Sequence, residues 1–135
     1  MSISIAEFRA LQKAAKKARP KYRNTPMRAG SEQYRSKKEY EFHVMCKVQG
    51  SARDPRQRIV KVEREVYYQL VPTQRDAKGK LLERAMGYFL DFRLTYGDGR
   101  VEHVDVKSPA TRKLPAWVAK RKLMLERHDI HILEV

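Results

Sequence analysis

A single cysteine, Cys46, is the whole thiol content of this 135-residue chain, so an internal disulfide and a disulfide-stapled secreted fold are excluded. No apolar run approaches the roughly 18 residues of a membrane-spanning helix, and no charged-then-apolar signal peptide is recognisable. Acidic side chains are scarce, since 16 Asp and Glu face 30 Lys and Arg, for a formal net charge of +14. These features predict a cytoplasmic protein with a polyanionic partner, and nucleic acid is the commonest such partner.

The basic charge is concentrated at the start of the chain. Residues 1–38 carry eleven Lys and Arg against two acids, and a capping-box pattern there predicts a short helix that Pro20 stops. Residues 20–33 have the composition of a linker. We therefore predict two regions, a basic N-terminal helix and linker over residues 1–33 and an α/β domain over residues 34–135. The first region is either a solvated tail or an arm that lies along phosphates.

The second region has the apolar content for a core, because apolar residues make up 41% of the chain. A Ser-x-x-Glu start at Ser36 and a stop at Gly50 bound a helix with apolar groups around most of its circumference, which we expect to be largely buried. The patterns that follow predict strands at 59–71, 87–96 and 100–107, a helix at 116–127 and a last strand near 130–135, with a polar turn at 74–79 and a loop at 108–115. The order α-β-β-β-α-β predicts a central mixed sheet of about four strands flanked by helices.

The hairpin around Gly97-Asp98-Gly99 is the most informative stretch of the sequence. Because side chains alternate along a strand, one face of its first strand is predicted to carry Tyr88, Leu90, Phe92, Leu94 and Tyr96. With a three-residue loop, the residue numbers of each cross-strand pair sum to 196. This register pairs Phe92 with Val104 and Leu90 with Val106, which completes an apolar face. A two-residue loop would mix polar and apolar side chains on both faces.

The same register places Asp91 directly across from Asp105, with Lys107 diagonal to Asp91. Facing carboxylates repel, and partial burial raises one pKa or demands a cation. Mg²⁺ accepts carboxylates, waters and phosphate oxygens as ligands, and Lys107 could place an ammonium beside the water or phosphate that such an ion orients. The arrangement therefore suggests a metal site for phosphodiester hydrolysis. The alternative is an ordinary hairpin face that meets water.

A glutamate that opens a helix, Glu39, then Asp91 in one strand, then Asp105-Val106-Lys107 in the next, resembles the restriction-endonuclease-like nuclease superfamily with its (D/E)-x-K signature. Within that superfamily the chain most resembles small phage and prophage endonuclease-like proteins related to Holliday junction resolvases. Further shared segments are Lys21-Tyr22-Arg23-Asn24, Tyr34 to Glu39, Lys120-Arg121-Lys122-Leu123 and Ile130 to Val135. One departure is Leu90, which stands where the superfamily's nominal motif has proline.

The resemblance implies a role for each of these residues. Glu39, Asp91 and Asp105 become the metal-binding acids, and Lys107 positions the attacking water or steadies the developing phosphate charge. Glu41 remains an alternative to Glu39, because helix periodicity does not separate them. The implied cofactor is Mg²⁺, or Mn²⁺, with no small-molecule cofactor. The implied partners are branched or distorted DNA and a second copy of the chain, because two strands must be cut. The implied compartment is the cytoplasm, which is that of a bacterial host if the chain is phage-encoded.

Basic side chains outside the acid cluster are candidates for phosphate contacts. They are Lys37, Lys38, Arg93, Arg112, Lys113, Lys120 and Lys122. Each phosphate that they neutralise should add to the salt dependence of binding, although a solvated surface explains the same pattern. Two other functions remain open, a non-catalytic nucleic-acid-binding protein and a packaging partner that only neutralises DNA. Trp117 has the surroundings of a core residue more than of a base-stacking one, and the Cys and His residues do not complete a zinc site.

Overall fold

The computed structural model describes residues 4–6 and 26–135, and the chain divides into two compact units, Met1–Lys37 and Lys38–Val135. The predicted N-terminal helix lies almost entirely outside the described residues. The linker prediction is wrong at its C-terminal end, because β1 (Met27–Ala29) and β2 (Glu32–Tyr34) pair as an antiparallel hairpin. Gly30, with a φ of 63°, makes the two-residue turn possible, so the small residues there mark a hairpin loop.

A four-stranded mixed sheet forms the core of the second unit. After the hairpin, the elements in chain order are α1 (Lys37–Gln49), β3 (Ile59–Val71), β4 (Gln74–Arg75), β5 (Leu81–Glu83), β6 (Met86–Tyr96), β7 (Val101–Asp105), α2 (Pro109–Arg112), α3 (Pro115–His128) and β8 (Ile132–Glu134). The strand order is β3-β6-β7-β8, with two antiparallel pairs followed by a parallel one. The predicted mixed α/β sheet flanked by helices is confirmed. None of the described helices is long and apolar enough to cross a membrane.

Two segments predicted as turn and loop contain short elements. The polar turn at 74–79 belongs to the β4–β5 hairpin, whose tip is held by Asp76, because its carboxylate accepts the backbone N–H groups of Lys78 and Lys80. The loop at 108–115 contains α2, and the Ser108 side chain caps it by accepting the N–H of Thr111. Both were missed because each is stabilised by a local side-chain-to-backbone hydrogen bond and carries no hydrophobic periodicity.

Helix α1 is buried along one side only, and that side is not its most apolar one. Its bounds are close to the predicted ones, but the expectation that it is largely buried is wrong. The buried side chains form one stripe, Glu39, His43 and Cys46, and the aliphatic residues on its other sides are exposed. The stripe faces Phe92, whose ring centroid lies 5.6 Å from that of His43. One sheet face can cover only one side of a helix, so Val44, Met45 and Val48 remain in solvent.

The register of the β6–β7 hairpin is the predicted one. Phe92 pairs with Val104 and Leu94 with Glu102, so opposed residues sum to 196. Gly99 has a φ of 90° and closes the three-residue loop. The predicted pair of Leu90 and Val106 is wrong, because the ladder between these strands ends at the Phe92–Val104 pair.

Strand β6 changes face at Asp91. Phe92 pairs with Val104, and both pack in one hydrophobic cluster with Cys46. Ile132 pairs with His103, the residue before Val104. Because neighbouring residues of a strand point to opposite faces, Ile132 lies on the face opposite to Val104. Leu90 belongs to the cluster of Ile132. Leu90 and Phe92 therefore lie on opposite faces although they are two residues apart. The predicted single face of five β6 residues is wrong, although all five are buried.

We name the two faces after the helices that cover them. The α1 face holds the cluster of Phe92 and Cys46, and the α3 face holds the cluster of Leu90 with Trp117 and Met124. Strand β3 changes face at the same level, since Val62 packs against the first cluster, and Val66 packs against the second.

Glu65 is the residue at which β3 makes this change. The pairs Arg64–Phe92 and Val66–Leu90 flank it and place it opposite Asp91. Its φ is 51°, in the left-handed region that a glutamate seldom occupies. A backbone turned this way costs roughly 1–3 kcal/mol, and such strain persists only where the surrounding pairs impose it.

Glu65→Asn should raise the free energy of unfolding by about 0.5–1 kcal/mol, because asparagine enters the left-handed region at lower cost. Urea denaturation would measure the change. Lys61→Asn is the matched control, on the same strand and exposed but without a positive φ, and should be neutral or destabilising. Equal effects of the two substitutions would show that the backbone at Glu65 stores no strain.

Candidate active site

Two buried carboxylates lie where β6 and β7 separate. Asp91 and Asp105 are 5% and 0% exposed. The Asp91 Oδ2 accepts the backbone N–H of Val106 at 3.0 Å, and the Asp105 Oδ1 accepts the backbone N–H of Asp91 at 3.1 Å. Side chain-to-backbone bonds thus continue the pairing of the two strands beyond the last ladder pair. Both carboxylates are fixed in position by the strands themselves.

The ammonium group of Lys107 lies against one of these carboxylates. Its Nζ is 2.9 Å from the Asp105 Oδ2, which also accepts the hydroxyl of Tyr88. The same Nζ lies 4.4 Å from the ring centroid of Trp117, a distance at which a cation interacts with an indole face. Tyr88 and Trp117 pack on each other, with centroids 5.6 Å apart. An aromatic wall therefore holds the ammonium beside Asp105.

The helix acid approaches the same pair from α1. Glu39 is buried and Glu41 is exposed, so Glu39 is the glutamate of the first turn that points into the fold. Its Oε1 lies 3.4 Å from the Arg64 Nη2. Its negative charge is also among the causes that raise the pKa of Asp91. Glu39 is thus near the carboxylate pair but has an arginine as an ion-pair partner.

The surroundings of Asp91 raise the pKa of its carboxyl group. Burial first, then the charges of Asp105 and Glu39, raise its pKa to about 7, against the opposing effects of the Val106 N–H and the Lys107 ammonium. Near neutral pH it therefore exchanges between the acid and the carboxylate. A cation bound beside it would favour the carboxylate.

The side chains offer a partial fit to a divalent ion. Across residues 4–6 and 26–135, no three His, Cys, Asp or Glu side chains are arranged so that they could hold a metal ion as they stand. Two adjacent carboxylates are nonetheless the donor set that Mg²⁺ takes together with waters and phosphate oxygens. Asp91 and Asp105 fit this requirement. Glu39 would fit it after its carboxylate left Arg64.

The residues predicted to contact phosphates differ in their exposure and partners. Lys37, Lys38, Lys113 and Lys122 are exposed, Lys120 is half-buried, and the Lys38 Nζ donates to the carbonyl of Lys107 at 3.0 Å. Arg93 is engaged within the fold, because it pairs with Glu63 and donates to the Tyr68 hydroxyl at 2.9 Å, and this raises its pKa.

A cavity lined by basic side chains lies at the β8 edge of the sheet. Arg112, Arg121 and Lys122 line a cavity of about 540 Å³ there. Glu134 lies in the same cavity and pairs with Arg121 at 3.0 Å and with Arg112 at 3.7 Å. Desolvation raises the pKa of Glu134, but the hydrogen bonds from Trp117 and Arg121 together with the charges of Arg121 and Arg112 lower it overall. Three basic side chains against one acid leave the lining of this cavity with a formal net charge of +2 from Lys, Arg and Glu.

Three residues of the site were not identified from the sequence. Arg64 had no specific signal, because Lys61, Glu63 and Glu65 are charged residues of the same strand. Tyr88 was assigned only to an apolar face, and Trp117 only to the core. The core assignment of Trp117 is confirmed by its burial, yet its ring also contacts Lys107. A contact of this kind between a strand and a later helix has no signature in local sequence.

The fold and the site together define a mixed α/β domain with a buried pair of carboxylates and an adjacent lysine. The chain belongs to the family described as "Protein of unknown function (DUF1064)", whose model matches residues 19–132. A search of curated proteins and a search of solved structures each found no match.

Proposed function

We propose that this protein is a Mg²⁺-dependent DNA endonuclease of the restriction-endonuclease-like type, related to phage Holliday junction resolvases and acting on branched or otherwise distorted DNA as a homodimer. The observation that carries the proposal is the placement of Asp91, Asp105 and Lys107 at the separation of β6 and β7. Burying two like charges side by side costs stability, and the backbone hydrogen bonds and Lys107 offset only part of that cost, because the pKa of Asp91 stays raised. A cation bound beside the two carboxylates would remove the remaining repulsion and could hold a phosphate.

The chemistry assigns a role to each side chain. A bound Mg²⁺ or Mn²⁺, held by Asp91 and Asp105 with Glu39 as a third acid, would neutralise phosphate charge and make a water a better nucleophile. Lys107 would face the scissile phosphate and stabilise its added negative charge. Tyr88 and Trp117 would hold Asp105 and Lys107 in place, since they contact these groups directly. Asp91 would be ionised once the cation is bound, because a neighbouring positive charge favours the carboxylate over the acid.

The charge of the chain supports DNA as the substrate. A net charge of +14 favours a polyanion, and each phosphate contact releases condensed counterions, so binding should weaken steeply with salt. The exposed lysines on α1 and α3 are the candidates for these contacts.

One observation favours a non-catalytic nucleic-acid-binding protein as the second candidate. The Glu39 and Asp105 carboxylates already have cationic partners, Arg64 and Lys107. In that function the two ion pairs only stabilise the fold, and removing Mg²⁺ would change neither DNA binding nor DNA integrity. Metal dependence therefore separates the two candidates.

The deciding experiment incubates the wild-type protein with an end-labelled four-way junction, a linear duplex of the same sequence and a single strand, each with Mg²⁺, Mn²⁺ or EDTA. We expect nicking that requires the metal and is fastest on the junction. Cutting of the junction and the duplex at equal rates would support the nuclease activity and contradict its specificity for branched DNA. A protein that binds these substrates and cuts none of them with either metal would contradict the nuclease proposal.

A further inference from the structure

The Glu134 carboxylate of β8 accepts hydrogen bonds from two side chains of α3. Its Oε1 accepts the indole N–H of Trp117 at 2.9 Å and a guanidinium N–H of Arg121 at 3.0 Å. Its Oε2 lies 3.7 Å from the Arg112 Nε. The side chain is 16% exposed, and its lowered pKa keeps it charged at neutral pH. Glu134 is therefore a fixed anionic acceptor.

The register of β8 places this carboxylate next to the candidate active site. Ile132 packs in the cluster of the α3 face, so Glu134, two residues later on the same strand, points to that face as well. Glu134 pairs with Asp105 of β7. The next residue, Val135, donates its N–H to the Asp105 carbonyl and accepts the N–H of Lys107, both at 2.9 Å. Backbone hydrogen bonds thus fix Glu134 beside the segment that carries Asp105 and Lys107.

Trp117 joins Glu134 to the Lys107 ammonium group. The edge of its indole donates to Glu134, and its face lies 4.4 Å from the Lys107 Nζ. An indole has its N–H on one edge only, so a hydrogen bond to that edge selects one ring orientation over the one turned by half a rotation. A charged acceptor also polarises the indole, which strengthens the attraction of its face for a cation. Glu134 can therefore act on the ammonium through the ring.

The Lys107 ammonium lies between the indole face and the Asp105 carboxylate. Its Nζ is 2.9 Å from the Asp105 Oδ2, and the Lys107 side chain is 17% exposed. A lysine side chain is a flexible four-carbon stem, so its ammonium keeps one position only where neighbouring groups restrict it. The carboxylate fixes the distance of the ammonium from Asp105, and the indole face restricts its direction. A displacement of about 1 Å in such a group can cost about 100-fold in rate.

We propose that Glu134 is a positioning residue of the candidate active site and acts through Trp117 to hold the Lys107 ammonium beside Asp105. This inference rests on the proposed function, because the position of the ammonium matters for cleavage only if Lys107 faces the scissile phosphate. The alternative is that Glu134 only joins β8 to α3 through its ion pair with Arg121. The two roles depend on different contacts, the indole hydrogen bond and the ion pair.

Three variants separate these two contacts. Glu134→Met keeps a side chain of similar length but has no oxygen, so it removes both. Glu134→Gln keeps an oxygen that can accept the indole N–H and removes the negative charge. Arg121→Gln is the matched control, because it removes the ion pair and leaves the carboxylate on Trp117. Circular dichroism of each variant checks that it is folded.

The position of the ammonium is measured by NMR without DNA or metal. Protons above an aromatic ring are shifted upfield, so the εCH₂ signal of Lys107 in ¹³C-lysine-labelled wild type should lie upfield of the ordinary lysine position. The signal that is missing from Lys107→Arg identifies it. We expect Glu134→Met to move this signal towards the ordinary position. Glu134→Gln and Arg121→Gln should retain most of the upfield shift.

Single-turnover cleavage of the four-way junction with Mg²⁺ and saturating protein measures the consequence for the chemical step. Glu134→Met should cut about 10- to 100-fold more slowly than wild type, because its ammonium is displaced. Its DNA affinity in EDTA should stay within a few-fold of wild type. Glu134→Gln and Arg121→Gln should cut within a few-fold of the wild-type rate.

An unchanged Lys107 signal in Glu134→Met would overturn the positioning role, and so would a displaced signal with wild-type cleavage. An equal displacement in Arg121→Gln would assign Glu134 to the joining of β8 and α3 and would overturn it too. If Glu134→Met does not fold, loss of the upfield shift in Glu134→Gln contradicts the proposal, since that variant keeps the acceptor. A wild type that cuts no substrate overturns the nuclease proposal, whereas the Lys107 signal still decides whether Glu134 holds the ammonium.

Discussion

Asp105→Asn should reduce metal-dependent cleavage of a four-way junction by about 10³-fold or more while DNA affinity stays at or slightly above the wild-type value. The amide retains an oxygen that can accept the Asp91 N–H, so the pairing of β6 and β7 is preserved. It removes the negative charge that Lys107 and a divalent ion would share. Single-turnover cleavage with saturating protein measures the chemical step, and binding in EDTA is measured separately.

Asp98→Asn is the matched control, because Asp98 is an exposed acid in the turn of the same hairpin and accepts the N–H of Arg100. It makes the same change in net charge and should cut like wild type. Circular dichroism of both variants excludes unfolding as the cause of a loss. Cleavage by Asp105→Asn within tenfold of the wild-type rate would show that this carboxylate is not needed for the chemistry. Tighter binding by both variants with no activity in any protein would support the non-catalytic candidate.

The register of the central hairpin could be predicted from sequence because apolar residues on two adjacent strands constrain each other. Only one loop length places Phe92 against Val104, and a one-residue slip exposes the whole apolar set. That register predicts that Asp91 and Asp105 are neighbours, and they are, although side-chain-to-backbone hydrogen bonds join them beyond the last ladder pair. The apolar residues that are buried on one face of the hairpin therefore predict its register, and the register predicts which polar side chains of the two strands are neighbours.

The change of face at Asp91 could not be predicted in the same way. Alternation assumes an unbroken extended backbone, and the break lies at Glu65, on a different strand and in a residue type that seldom marks a left-handed backbone. The same limitation hid the contacts of Lys107 with Trp117 and of Glu39 with Arg64, because each joins two elements far apart in the chain. Local patterns identify which residues a strand carries, and tertiary packing decides which of them meet.

Asp91→Asn should make the protein more stable above neutral pH, by on the order of 1–3 kcal/mol at pH 8. The folded-state pKa of Asp91 is about 7, against 3.8 for the ordinary carboxyl. Between these values the folded chain holds a proton that the unfolded chain has released, so the free energy of unfolding falls as pH rises towards 7. Asparagine cannot ionise, so the variant should not show this fall. Urea denaturation of both proteins from pH 4 to pH 8 measures the two slopes.

A second measurement tests the same carboxylate with divalent ions. If Asp91 and Asp105 bind Mg²⁺, the ion stabilises the ionised carboxylates, and at pH 8 it should raise the melting temperature of the wild type. Asp91→Asn should respond much less, and Asp98→Asn should respond like wild type. Parallel pH slopes for wild type and Asp91→Asn would show that the folded protein does not hold a proton at this carboxyl. A pH effect without any response to Mg²⁺ would support the buried acid pair and contradict cation binding there, so that only the Val106 N–H and Lys107 would offset the repulsion of the two carboxylates.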